Sequence, residues 1–425
     1  MKRLQRYITV AEHFLARHPW ATCGAVVAAC FLLAISRRPE LLFHAQFWAE
    51  DGAVWYTDAF HRGFIAPLFE TYAGYLSFFQ RLVAGASLLL PLRFVPLFFN
   101  LWGIAALLLP VFILNSPRLR NVIPSRLLAI AVSILYIGMP NGNEVYGNLT
   151  NVQWHLGVAV FLLLIATPSK KLGWIIFDFV VFILAGLSSP LLIVLLPVVG
   201  ILWWRNRRDV TRRRNLLVFG VLSLVQLWAI FVGSHYHRVG SHVQMDFLNF
   251  VKMIVGQIFM GGTVGLKYVN LYYNDRFVLY ALFALGLATI VYAVVKGPLW
   301  LKLFNIYWPL LLLAMFNSLA PVPGFNVWEG LTNPTGGQRY WYIPIMSWIA
   351  TLIWLACKAP SKWFKGMASI VLLLMVIVGL GQNWEVAPLT DLHFQQYAQD
   401  FQRAPKGKPF AIPINPGWKM ILYKK

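Results

Sequence analysis

Long apolar runs separated by short polar loops dominate this chain, and the runs do not alternate with a period of two. Backbone N–H and C=O groups in lipid must find partners within their own segment, so runs of this kind read as helices rather than barrel strands. A crossing needs roughly 20 residues for a hydrocarbon core about 30 Å thick. Eleven spans are predicted on that measure, at residues 20–36, 94–115, 126–141, 153–167, 172–187, 190–204, 215–233, 277–295, 303–320, 340–357 and 367–382. The fold class that follows is an all-α polytopic membrane protein. The stretch from Gly74 to Pro91 is apolar enough to raise the count. Counting it would reverse the side of every later loop, so it is read as a helix lying at the interface or packed half-way into the membrane.

The loops give the spans a direction. One set comprises the N-terminal segment and loops 116–125, 168–171, 205–214, 296–302 and 358–366. With Arg126 it carries 20 of the 36 Lys and Arg residues and, as acids, only Glu12 and Asp209. Its strongest signal is Arg205-Asn-Arg-Arg-Asp-Val-Thr-Arg-Arg-Arg214. The positive-inside rule makes that side cytoplasmic. The opposite segments, 37–93, 142–152, 234–276, 321–339 and 383–425, carry 12 of the 15 acids and are exterior. Residues 1–382 then form a transmembrane domain whose first exterior loop is 37–93. Residues 383–425, with Pro405, Pro409, Pro413 and Pro416, form a short exterior tail too small for a core of its own.

Composition agrees. The chain is 59% hydrophobic and 12% charged, where soluble domains carry about 25% charged residues. The net charge of +21 reflects loop topology rather than nucleic-acid binding. Cys23, Cys30 and Cys357 form no disulfide framework and read as packed thiols. Val27-Ala-Ala-Cys30 has the outline of a lipoprotein cleavage box, but the apolar run continues through Ile35, so an uncleaved first span is expected.

Candidate chemistry concentrates on the exterior side. Phe47-Trp-Ala-Glu-Asp-Gly-Ala-Val-Trp-Tyr56 places Glu50 and Asp51 just past the first span. Carboxylates beside hydrocarbon are costly and mark functional sites. Neighbouring residues point different ways, so the two acids divide their tasks. Asp58 follows two helical turns after Asp51. Tyr72, Tyr75, Gln80 and Arg81 are polar-tipped groups in an apolar stretch, and Arg81 either holds a phosphate or snorkels to headgroups. Loop 142–155 is rich in amides, and Asn151, Gln153 and His155 stand at the head of a span, where they suit sugar hydroxyls. Asn148-Leu-Thr150 is also a glycosylation sequon in form. Gly336-Gly-Gln-Arg-Tyr340 opens another span, where a helix N-terminus and Arg339 suit a phosphate. His235, His237 and His242 do not have the spacing of a metal site. Asp178, inside the fifth span, is read as packed against a polar neighbour or as part of a proton relay.

These motifs resemble the GT-C superfamily of membrane glycosyltransferases. The resemblance is carried by Trp48-Ala-Glu-Asp-Gly52, the helix ending at Arg81, Gly337-Gln-Arg-Tyr340, and the tail residues Asp391, Phe394 and Ala411-Ile-Pro-Ile-Asn-Pro-Gly-Trp418. It covers most of the chain in layout, including interfacial helices in the first exterior loop, and is nearest to bacterial enzymes that decorate O-antigen or related envelope glycans. It implies inverting transfer of a sugar from a polyprenyl-phosphate carrier to a glycan or lipid hydroxyl, outside the cytoplasmic membrane. Asp51 would be the general base. Arg339, or secondarily Arg81, would bind the donor phosphate with Tyr340. Glu50 would orient the acceptor or support a divalent cation, Mg or Mn. Trp48, Trp55, Tyr72 and Tyr75 would stack on sugars. The alternatives are a lipid-linked sugar flippase, which needs ionisable groups along a mid-membrane path, and a polymerase or ligase that uses a pyrophosphate-linked donor.

Overall fold

A computed structural model describes residues 2–233, 246–316, 327–333 and 335–424. Each of the eleven predicted spans has a helix in its place, with residues 317–320 lying outside the described set. Eight helices among the described residues are long and apolar enough to cross a membrane. Seven of them lie on predicted spans; the eighth, Phe247–Val264, falls within segment 234–276, which is expected to be an exterior loop. Four shorter apolar helices, Arg126–Gly138, Val152–Ile165, Leu172–Ser188 and Leu191–Arg205, complete the set. The chain is thus a helical, membrane-type protein in which strands occur only as two small antiparallel pairs among the described residues.

The compact units do not follow chain order. The first comprises Met1–Ile130, Tyr146–Tyr236 and Ala387–Lys425, and the second Ala131–Val145 and His237–Val386.

In the first unit, Pro19–Arg37, Val95–Asn115 and Val152–Ile165 pack in succession, Leu172–Ser188 and Leu191–Arg205 pack on the last of these, and Val210–Phe231 packs on both of them. Gly103 has a specific task there. A Cβ at that position would come within 2.8 Å of the Gly147 backbone, so only glycine lets loop 147–148 seat against the helix. Among the buried polar groups, Arg118 grips Asp178 with both guanidinium nitrogens, at 2.6 and 2.8 Å, and stacks on Trp174.

Segment 37–93 folds into the π-helical turn Asp51–Tyr56, which runs on as helix Thr57–Arg62, then a tight strand pair, Thr71–Tyr72 with Tyr75–Leu76, then helix Phe78–Ser87. That last helix covers the ambiguous Gly74–Pro91 stretch. Its 10 residues reach only about 15 Å, half a bilayer. Residues 387–425 are not a loose appendage. Helix Phe394–Arg403 and the hairpin Pro409–Ile414/Trp418–Tyr423 lie against segment 46–62. Ile412, Ile414, Met420 and Leu422 alternate onto one buried face of the hairpin. Phe47 joins Phe394 and Phe99 edge to face. The tail borrows a core from the first loop, which is how so short a segment folds.

In the second unit, Gln338–Lys358 packs on Leu299–Phe316, on Lys362–Leu374 and on the π-turn Ile254–Phe259. Small residues bring these backbones together: a Cβ at Gly379 would meet the Thr263 carbonyl at 2.3 Å. Buried polar groups are cross-linked, Asn305 donating to Thr351 (3.1 Å) and Trp348 to Thr263 (3.2 Å).

Candidate functional site

The site in the first unit is built on the π-helical turn. Such turns recur at functional sites because the extra residue per turn redirects side chains. The turn is entered through Ala49, held in left-handed backbone (φ 41°), whose N–H donates to the Asn415 carbonyl at 2.5 Å. Asn415 is fixed in turn by paired bonds to Thr390, at 3.0 and 2.9 Å. Trp48 bridges the same residue. The tail therefore sets the entry to the acidic motif.

Asp51 is 1% exposed. Its Oδ1 accepts from the Thr150 N–H (2.7 Å) and hydroxyl (2.6 Å), and its Oδ2 accepts from the Leu149 N–H (3.2 Å). Trp55, one turn on, donates its Nε1–H to the same Thr150 hydroxyl at 3.0 Å. Burial pushes Asp51 up to about 7 from an ordinary 3.8, against the pull of the Thr150 and Leu149 donors, and neighbouring Glu50 adds to the rise. Glu50 is half-buried, on the flank of this network.

Trp55 links Asp51 to a cation. Arg81, 3% exposed, lies 5.3 Å from the Trp55 ring and donates to Asp58 at 2.8 Å. It is buried against an acid and does not snorkel. Gln80 donates to Gln153 (2.9 Å) and to the Thr150 carbonyl (3.4 Å). Arg81 Nε and Gln80 Oε1 are buried without a hydrogen-bond partner among the described residues. Buried polar groups are rarely left unmet, and an unmet pair in one place invites a ligand. Tyr72 packs edge-on against Trp55 at 5.0 Å, and Tyr75 pairs with it across the strand turn. Asn151 and His155 are buried at the head of Val152–Ile165, where the Asn151 N–H is bonded by Asn148.

Arg339 and Tyr340 belong to the second unit. Glu144 accepts from the Arg339 side chain at 2.7 Å and from its backbone N–H at 3.0 Å, while the Glu144 N–H donates to Gln338 at 3.2 Å. Arg339 also stacks on Tyr340 at 5.0 Å. The helix begins at Gly337, in left-handed backbone (φ 58°) that suits glycine. Arg339 is thus an ion-paired helix start.

Sequence reading found Asp51, Trp55, Gln80, Arg81 and Gln153 but not Thr150 as the partner of Asp51, or Glu144 as the partner of Arg339. Only the sequon drew attention to Thr150, and Glu144 is a lone acid in an amide-rich loop. No group of three potential metal ligands occurs among the described residues. His235, His237 and His242 lie outside them. With both Asp51 oxygens taken by N–H and O–H donors, Asp51 does not fit a divalent cation. No family profile, curated protein or solved structure matches the chain.

Proposed function

We propose that this chain is an integral-membrane glycosyltransferase of the GT-C type, moving a sugar from a polyprenyl-phosphate carrier to an acceptor hydroxyl on the exterior face of the cytoplasmic membrane. The observation that carries this reading is the buried Asp51–Thr150–Trp55–Arg81 cluster, with its unmet Arg81 and Gln80 groups. It supplies an acid that titrates near neutral pH and a cation, joined by one indole. The acceptor hydroxyl displaces the Thr150 hydroxyl from Asp51. Its oxygen attacks the anomeric carbon, its proton passes to Asp51, and the carbon–oxygen bond to phosphate breaks with inversion. The electron pair leaves on the phosphate, where Arg81 meets the growing charge. Both arginines are ion-paired, Arg81 to Asp58 and Arg339 to Glu144, but Arg81 takes this role because its Nε is buried and unmet beside the equally unmet Gln80 Oε1. Glu50 orients the acceptor, and Trp48, Tyr72 and Tyr75 line the sugar path with Asn151, Gln153 and His155.

Sidedness follows from loop charge. A full crossing by Phe247–Val264 would turn the lysines of 296–302 and 358–366 outward, against the positive-inside rule, so this helix is read as packed within the protein. The flippase alternative loses its main support, because Asp178 is clasped by Arg118. The test is transfer by purified protein from a radiolabelled polyprenyl-phosphate hexose to an envelope-glycan extract. Transfer supports the reading. Turnover only with a pyrophosphate-linked oligosaccharide reassigns the chain to polymerases or ligases, and movement of lipid-linked sugar across vesicles without transfer reassigns it to flippases.

A further inference from the structure

Helix Lys2–Arg17, which leads directly into the apolar helix Pro19–Arg37, is sharply two-faced. Tyr7, Val10 and Phe14 follow helical spacing along one side and are 61–71% exposed. No part of the described chain covers this face. Arg6, His13 and Arg17 run along the flank, and Arg3 stands at the N-terminal end of the apolar row itself. The one acid, Glu12, is turned inward: it accepts from the Ser125 hydroxyl and the Arg126 (2.8 Å) and Leu127 (3.0 Å) N–H groups, capping helix Arg126–Gly138. With Glu12 consumed, the open part of the helix presents no acid. Continuity with Pro19–Arg37 fixes the height of this face, since Trp20, 52% exposed, lies at the start of that helix, where an indole suits the headgroup level. A second feature is independent of the helix. Arg120, in the neighbouring loop, has Nε and Nη2 without a partner among the described residues and lies within electrostatic reach of Arg126 and Glu12.

We propose that Lys2–Arg17 is an interfacial helix that immerses its Tyr7–Val10–Phe14 face in the bilayer and binds anionic phospholipid headgroups through Arg3, Arg6 and Arg17, with Arg120 as the inner phosphate contact. The occupant is lipid because a basic flank beside an apolar face matches an anionic interface, and because the helix joins a membrane-type helix without a linker. Glu12 is the latch that ties its orientation to helix Arg126–Gly138. Each arginine near an anionic surface adds to the attraction, so the three together make binding depend strongly on lipid charge.

The test uses the full chain with Cys357→Ser and one fluorescent label at Phe14→Cys, Val10→Cys or Thr9→Cys, reconstituted in vesicles of phosphatidylcholine alone or mixed with phosphatidylglycerol. The labels at 14 and 10 are expected to be quenched by nitroxide lipid and the label at 9 by aqueous iodide. Phosphatidylglycerol is expected to deepen lipid quenching at 14 and 10. Arg3→Gln, Arg6→Gln and Arg17→Gln together should abolish that increment, and Arg120→Gln should reduce it. Iodide access at 10 and 14 equal to that at 9 overturns the interfacial helix. Equal immersion in both vesicle types overturns the anionic headgroup, and shielding of 10 and 14 from both quenchers assigns the face to a protein partner instead.

Discussion

Two buried acids in the first unit meet opposite fates. Asp178 lies within a helix of membrane type and is neutralised by the two-pronged grip of Arg118, whose guanidinium also lies over the Trp174 ring. Asp51 is as deeply buried, but its three hydrogen-bond donors are all uncharged. The first arrangement is closed: charge meets charge, and the pair has nothing to offer a ligand. The second leaves a carboxyl whose ionisation is opposed by burial, so it can take or release a proton near neutrality. An acid held by neutral donors is therefore a better candidate for chemistry than an acid held by arginine, although both lie in an apolar chain.

Substitutions can break this contrast, beginning with the largest effect. Asp51→Asn keeps the shape of the turn but cannot accept the proton, so transfer should fall about 10²- to 10⁴-fold while the protein stays folded, as read by transfer assay and thermal melting. Arg118→Ala leaves Asp178 unpaired in the interior and should lower stability by about 3–5 kcal/mol without changing turnover per folded molecule. Replacing both partners, by Arg118→Met with Asp178→Leu, should restore stability. Arg81→Gln should weaken binding of the lipid-phosphate donor by about 10- to 100-fold, equivalent to roughly 1.5–3 kcal/mol for a charge-assisted bond, while Arg339→Ala leaves donor affinity unchanged. Equal losses in both variants would return the phosphate role to Arg339. Thr150→Val removes a donor to Asp51 and the acceptor for Trp55, costing about 1–3 kcal/mol. Thr150 lowers the Asp51 pKa, so its loss should move the pH–rate profile to higher pH.

Linkage gives the contrast a pH signature. The folded state holds the Asp51 proton more tightly than the unfolded chain, about 7 against 3.8. The neutral carboxyl's advantage is present below the unfolded value and is lost as pH rises through the folded one. Melting of the wild type relative to Asp51→Asn should therefore worsen across that window, while catalysis improves.

Much of the helical layout is legible in the sequence, because hydropathy and loop charge are local properties. Phe247–Val264 escaped because Lys252, Gly256, Gln257, Gly261, Gly262 and Thr263 dilute its hydropathy. Packed against protein, the helix does not need the composition that lipid demands; Gln257, for example, donates to the Leu331 and Asn333 carbonyls and accepts from Asn141. The tail escaped for the opposite reason. Its prolines signal irregular chain, yet Pro409 and Pro413 sit in a two-stranded hairpin and Pro416 in its turn, where the lost N–H is tolerated. At the site, Asp51 and Arg81 stood out as charges among apolar residues. Their partners did not, because Thr150 is 99 positions from Asp51, Glu144 is 195 from Arg339, and no local pattern encodes either pairing.

The most direct measurement is the initial rate of hexose transfer from the polyprenyl-phosphate donor by purified wild-type protein, followed from about pH 5 to about pH 9. A rate that climbs tenfold per pH unit and levels off after one ionisation near 7 is the predicted result. A rate indifferent to pH across that range, or no transfer from any such donor, would contradict it.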